Sequence, residues 1–440
     1  MSARADPRAE FLEAALWHGG LERAEALLGA HSELRSADIH TAAVLGDDAA
    51  VRRFLALNPA SVAAKAPPFG GDPLVYLCLS NYLRLDPARS DGFLRAATAL
   101  LDAGADPNTG FRHQGEFESA LYGAAGVAHH AGMTRLLLER GADPNDEEVP
   151  YHSPEGYDNA ALEALVESGR LIADNLAMML LRKADWHDGK GQEYLLEHGA
   201  DPNRMTRWGY TALHQAVRRD NALRNIEVMV EHGADATLPT RHDGRSAVAI
   251  AARRGRGDVL ALFERRGIPI ALEGVERLIS ACARNDGAEV RSLAEREPDL
   301  VRELHAQGAT LLAEFAGTAN AEGLGLLLDL GVPVAALYGG DGYFDIAANS
   351  TALHVAAWKA WHEVVRLLIA RGAPVNLPDA RGRTPLMLAV KACVDSYWVN
   401  RRSPESVRML LEAGASTDGV SYPSGYADVD ELLRRHGSVA

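Results

Sequence analysis

Apolar positions along this chain fall in short paired runs, and the clearest pair lies in residues 350–376, STALHVAAWKAWHEVVRLLIARGAPVN. Thr351, Ala352, Leu353 and His354 open a short helix whose packing face is Ala356 and Ala357. Val364, Val365, Leu367, Leu368 and Ile369 give a second helix its apolar face. Gly372 then stops that helix where the chain must turn left-handed. The same alternation predicts helix pairs from residue 8 onward. Phe11, Leu12, Ala15 and Leu16 face inward from the first helix, and Leu21, Ala24, Leu27 and Leu28 from the next. Glu10, Glu13, Glu22, Arg23 and Glu25 give that pair (8–35) the polar outer face of an end cap. A closing helix is predicted over 426–436.

The pairs end or begin on recurring phrases. Gly-Ala-Asp-Pro-Asn stands at 104–108, 141–145 and 199–203, and Gly-Ala-Asp at 233–235. Tyr-Thr-Ala-Leu-His opens a pair at 210–214, and Arg-Thr-Pro-Leu opens another at 383–386. On these phrases the chain resembles the ankyrin-repeat family, whose unit of about 33 residues is a β-turn finger followed by two antiparallel helices. The resemblance implies an all-α solenoid of about twelve helix pairs, read as one elongated domain over residues 1–440. Kinks are expected near 146–173 and 268–272. It also implies a protein that binds partners and rarely catalyses, by analogy of fold.

Several pairs depart from the pattern. Extra residues separate the helices of the third pair (82–90) and the twelfth (394–404). Pro150 and Pro154 forbid a normal first helix in 146–169, leaving an ordered loop or a short helical turn. Pairs nine and ten (274–304 and 307–334) keep their helices but have weak fingers. Residues 335–349, AALYGGDGYFDIAAN, are an insertion. Tyr122 replaces the family histidine, so its side chain is expected to point elsewhere.

Composition narrows the function. The chain has 440 residues, 47% of them hydrophobic, and a formal net charge of -15. An acidic balance disfavours general nucleic-acid or anionic-membrane binding, and no apolar run reaches the roughly 18 residues that span a bilayer. The N-terminus is charged throughout and has no signal-peptide core. Cys78, Cys282 and Cys393 sit at small-residue positions of first helices and read as buried thiols of a reducing cytoplasm. The Ala- and Arg-rich composition suggests a bacterial-type chain. No motif argues for a metal or another cofactor.

Two constellations bear on chemistry. The family register places Trp208, Tyr210, Arg218, Arg219, Arg253, Arg254, Trp358 and Lys359 on the concave wall of fingers and first helices. Read as a groove, they fit a protein or an anionic ligand, since the planar guanidinium pairs two oxygens at once. Scattered arginines on a solvated face are the plainer reading. The irregular loops carry aromatic and acidic residues: Phe111, His113, Glu118, His152 and Glu155, then Tyr343, Asp341 and Asp345. Converging, they would suit a polar, sugar-like molecule, with Glu118, His152, Glu155, His214, Asp341 and Asp345 as acid–base candidates of a hydrolase or lyase. Loops that bury their own aromatics are the alternative. No nucleophile elbow or phosphate-cradling loop is present.

Overall fold

In a computed structural model of the chain, residues 6–436 except 147 are described. The chain folds as two compact units, Met1–Asp235 and Ala236–Ala440. In both, helices of alternating role stack in two files, as the paired apolar runs require.

In the first unit the inner file includes Ile39–Val44, Pro73–Cys78, Ala120–Tyr122, Glu148–His152, Ala173–Asp185 and Ala212–Arg218. Each packs on its neighbours in that order. Behind them Asp48–Leu57 packs on Ser90–Asp102, that on Ala131–Glu139, and that on Ala160–Glu167. Gly189–Glu197 packs likewise on Leu223–Glu231. Ala42, Ala43, Ala177, Ala184, Ala212 and Ala216 are buried, because only small side chains let inner helices approach so closely.

The recurring phrases have a local cause. Asn108 donates from Nδ2 to the Gly141 carbonyl, and its Oδ1 accepts the Asp143 N–H at 2.8 Å. Asn203 repeats this with Gly233 and Asp235, and Asn376 with Gly414 and Ser416. In these three fingers one asparagine therefore satisfies the polar backbone of the next finger. Gly141 has φ 100 and Gly199 φ 93, values an L side chain rarely adopts, so the C-terminal turns of these second helices need glycine. At Thr211 and Thr351 a capping box is closed by a histidine: Nδ1 of His214 and of His354 meets the threonine hydroxyl at 2.7 and 2.9 Å.

The irregular segments take definite forms. Residues 148–152 make the short helical turn Glu148–His152. The finger before Ala120 is a β-hairpin, Gly110–His113 paired antiparallel with Glu116–Ser119, which the sequence reading missed. Gln114 and Gly115 both have positive φ, as a two-residue hairpin turn demands. In the second unit an extra helix, Pro298–His305, stands where the finger was weak. Ala247–Arg253 touches both Val275–Ala283 and Gly308–Gly317, so pair nine does not simply separate its neighbours. Gly308–Gly317 then packs on Ala352–Trp358, and that on Pro385–Asp395. The chain ends in the predicted closing helix, Ala427–Arg435.

Candidate functional site

In the first unit the hairpin register pairs Phe111 with Glu118. Phe111 is buried, stacked on Phe69 at 5.2 Å and edge-on to Trp17 at 5.5 Å. Trp17 Nε1 donates to the Tyr122 hydroxyl at 3.2 Å. The Tyr122 ring lies 5.3 Å from His152.

From His152 a chain of charges runs along the inner file. Its Nε2 lies 3.0 Å from Glu148 and its Nδ1 3.0 Å from Glu155. Glu155 accepts from Arg182 at 3.0 Å, and Arg182 donates to Asp185 at 2.6 Å. The other Asp185 oxygen accepts from Arg219 Nε at 2.9 Å and Gln215 Nε2 at 2.6 Å. Burial pushes the Glu155 carboxyl up, but His152 and Arg182 outweigh it and hold it below the usual range. Glu118 behaves oppositely. It is 5% exposed, and its Oε2 has no hydrogen-bond partner among the described residues. Burial, with Glu148 adding repulsion against the opposing pull of His152, raises its carboxyl to about 7.

Beside this network lies a cation–aromatic row. The Arg182 guanidinium sits 4.1 Å over the Tyr151 ring, Tyr151 meets Trp208 edge-on at 5.7 Å, and Arg218 sits 4.3 Å over Tyr210. Tyr151, Trp208, Tyr210 and Arg218 are all half-buried.

In the second unit the insertion folds onto the inner wall. Arg254, Trp358 and Lys359, expected on an open face, are 7%, 2% and 2% exposed. Phe344 lies against them: Lys359 Nζ is 3.5 Å from the ring centroid, and Trp358 Nε1 donates to the Phe344 carbonyl at 2.7 Å. Arg253 pairs with Glu276 and Arg254 with Glu314, both at 2.5 Å. Asp345 accepts from Lys391 at 3.0 Å, Arg383 at 3.2 Å and Arg381. These three cations outweigh burial and hold its carboxyl below the usual range.

The expectations thus separate. Glu118, His152 and Glu155 come together. His214 does not join them: it is buried in a capping box. Asp341 and Asp345 belong to the other unit: Asp341 Oδ1 accepts the Tyr343 N–H at 3.0 Å within the insertion, and Asp345 ties the insertion to Arg381, Arg383 and Lys391. Arg219, Arg253 and Arg254 each hold a carboxylate, so the basic row is largely neutralised from within. The loops do bury aromatics, Phe111 and Phe344 above all, while Tyr343 keeps partial exposure. Sequence reading missed Trp17, Arg182 and Asp185 as members of the site. The available signal was spacing: Asp185 and Arg219 stand about one repeat apart. Two hollows of about 360 and 500 Å³ open elsewhere in this unit, and neither is lined by Glu118, His152 or Glu155. Among the described residues no group of His, Cys, Asp and Glu has metal-holding geometry, and no helix is long and apolar enough to cross a membrane.

With the paired files, capping boxes and finger ladders in view, the comparisons agree that the chain carries ankyrin repeats. Residues 195–251 match the family described as "Ankyrin repeats (many copies)" and residues 333–419 "Ankyrin repeats (3 copies)". Among curated proteins it is similar to the human transient receptor potential cation channel subfamily A member 1, 25% identical over 297 residues, 64% of this chain and 23% of the channel. It is also similar to human inversin, 29% identical over 219 residues, 50% of this chain and 17% of inversin. The zebrafish (Danio rerio) putative palmitoyltransferase ZDHHC13 is 32% identical over 125 residues, 22% of this chain and 19% of that protein. The chain therefore spans a quarter or less of the length of these relatives. The crystal structure of the human ASB11 ankyrin repeat domain aligns with 53% of this chain and 99% of that domain, at 22% identity and a TM-score of 0.42.

Proposed function

We propose that this protein recognises another protein through the inner face of its first unit, at the row formed by Tyr151, Trp208, Tyr210, Arg182 and Arg218. Ankyrin repeats are a general protein-interaction module, and the observation that supports this address is the stacked row itself. Tyr, Trp and Arg dominate binding energy where interfaces are tight. Here the rings are already held by cation stacking and by the Glu155–Arg182–Asp185 network. Little side-chain freedom is left to lose on docking. Buried free thiols fit a cytoplasmic setting, and composition supports a bacterial source. The test is affinity capture with identification of the captured protein. Trp208→Ala and Arg218→Glu each remove capture of the identified partner with the melting temperature unchanged; undiminished capture by both contradicts the reading.

A second reading, a polar small molecule handled by acid–base chemistry, is favoured by one observation: a buried carboxyl near neutrality, Glu118, beside His152. A thermal-shift panel of sugars, amines and carboxylates tests it, and a flat response removes it.

A further inference from the structure

The insertion in the second unit does more than cover the wall. Its tip makes the contacts a bound peptide would make. Phe344 is buried between Lys359 and the Arg254 guanidinium, which lies 5.6 Å from the ring centroid. Its carbonyl takes the Trp358 indole N–H, and the next residue, Asp345, takes three cations through its carboxylate. The Asp345 carbonyl accepts a fourth bond, from Arg383 Nη2 at 3.1 Å. Side-chain ring, main-chain carbonyl and carboxylate are each read by a separate group of the framework. Only a cavity of about 10 Å³ remains between tip and wall, roughly the space of one water.

The framework does not need the tip to close. Gly308–Gly317 packs on Ala352–Trp358 directly, and Ala352–Trp358 on Pro385–Asp395. The tip is a four-residue turn held by the Asp341–Ile346 bridge, whose two amide bonds are both 2.9 Å. Gly339 and Gly340 lie at its base, Gly342 opens the turn, and Leu337 is exposed. Asp345 sits at φ 55, a left-handed conformation that a non-glycine residue holds at some cost and that its cradle must stabilise. Arg381 and Lys391 stay half in water, so their ion pairs are exchangeable.

We infer that the tip Tyr343–Phe344–Asp345 is a tethered stand-in for a partner's peptide, and that the cradle of Arg254, Trp358, Lys359, Arg381, Arg383 and Lys391 binds an aromatic residue followed by an acidic one. The ring supplies a face for the buried ammonium and guanidinium, and the carboxylate supplies charge-assisted acceptors for the rim. A partner with this pair in a turn competes with the tip and exposes the insertion as it docks. This reading involves the second unit alone, so loss or survival of partner capture at Trp208 leaves it unaffected.

The probe is a fluorescein-labelled synthetic peptide of residues 336–350, titrated by anisotropy against the full chain and against the full chain carrying Phe344→Ser and Asp345→Asn. The doubly changed chain binds the peptide at least tenfold more tightly than the unchanged one, and a peptide carrying the same two changes binds neither. Equal affinity for both chains overturns the inference, and so does no binding by a doubly changed chain that keeps its melting temperature. Should that chain melt early, the unchanged protein decides by hydrogen exchange. A short tether holds its tip at an effective concentration of about 1 mM. Peptide at several times that level speeds exchange of the Asp341 and Ile346 amides, and exchange that stays constant overturns the inference.

Discussion

Arg219 is tied to Asp185 of the preceding repeat by a 2.9 Å bond from Nε to Oδ1. The pair links consecutive inner helices, Ala173–Asp185 and Ala212–Arg218 with its C-terminal cap. It also explains why an acidic protein carries a line of arginines on its inner face. The arginines answer carboxylates of adjacent repeats, and most of their charge is spent before any ligand arrives.

Asp185 holds two arginines and is nearly buried. Removing one partner of a buried ionic network leaves charges uncompensated. Asp185→Ala is expected to destabilise the first unit by about 3 kcal/mol, read from the urea midpoint. A change below about 0.5 kcal/mol would show the network to be ornamental.

Glu118 gives a pH signature. Its carboxyl rises from an ordinary 4.5 to about 7 in the fold. Between those values the folded chain keeps a proton that the unfolded chain has released, so stability falls as pH rises through this window. Above pH 7 the penalty is complete, and at ~1.4 kcal/mol per unit it is bounded at about 3.5 kcal/mol. Glu118→Gln therefore gains on the wild type between pH 4.5 and 7 and holds a constant advantage above. A difference that is flat from pH 4.5 to 8 contradicts the assignment.

The three thiols are sealed. Burial pushes Cys282 up to about 12 and Cys393 to about 11, and raises Cys78 as well. A thiolate is the reactive form. None of the three is expected to react with a disulfide dye in minutes at pH 8, and all three react in denaturant. Rapid native labelling would contradict this.

Capping sets the start of the inner helices. Thr211→Ala and Thr351→Ala each remove a capping box and are expected to cost about 1 kcal/mol. Thermal melts measure it, and an unchanged Tm for both contradicts a structural role for His214 and His354.

The repeats were legible because each states its own boundaries. A threonine cap, two small residues, an apolar second helix and a left-handed glycine are local features, and the finger asparagine repeats with the period. The site was legible only in part. Glu118, His152 and Glu155 stood out as acidic and basic residues in irregular fingers. Arg182 and Asp185 did not, because their partners come from neighbouring repeats and only stacking joins them. Trp17 was hidden for the same reason, more than a hundred residues from Tyr122. The burial of Arg254, Trp358 and Lys359 was illegible because the insertion that covers them follows no repeat pattern. The hairpin was within reach: Gln114-Gly115 between Phe111 and Phe117 is a two-residue turn of the kind that needs positive φ twice.

The most direct test of recognition through the first unit is hydroxyl-radical footprinting of the complex with the captured partner. Protection centred on Tyr151, Trp208 and Tyr210 is the predicted result. Unchanged labelling of those three rings, with protection confined to the outer helices such as Ala131–Glu139 and Leu223–Glu231, would contradict it.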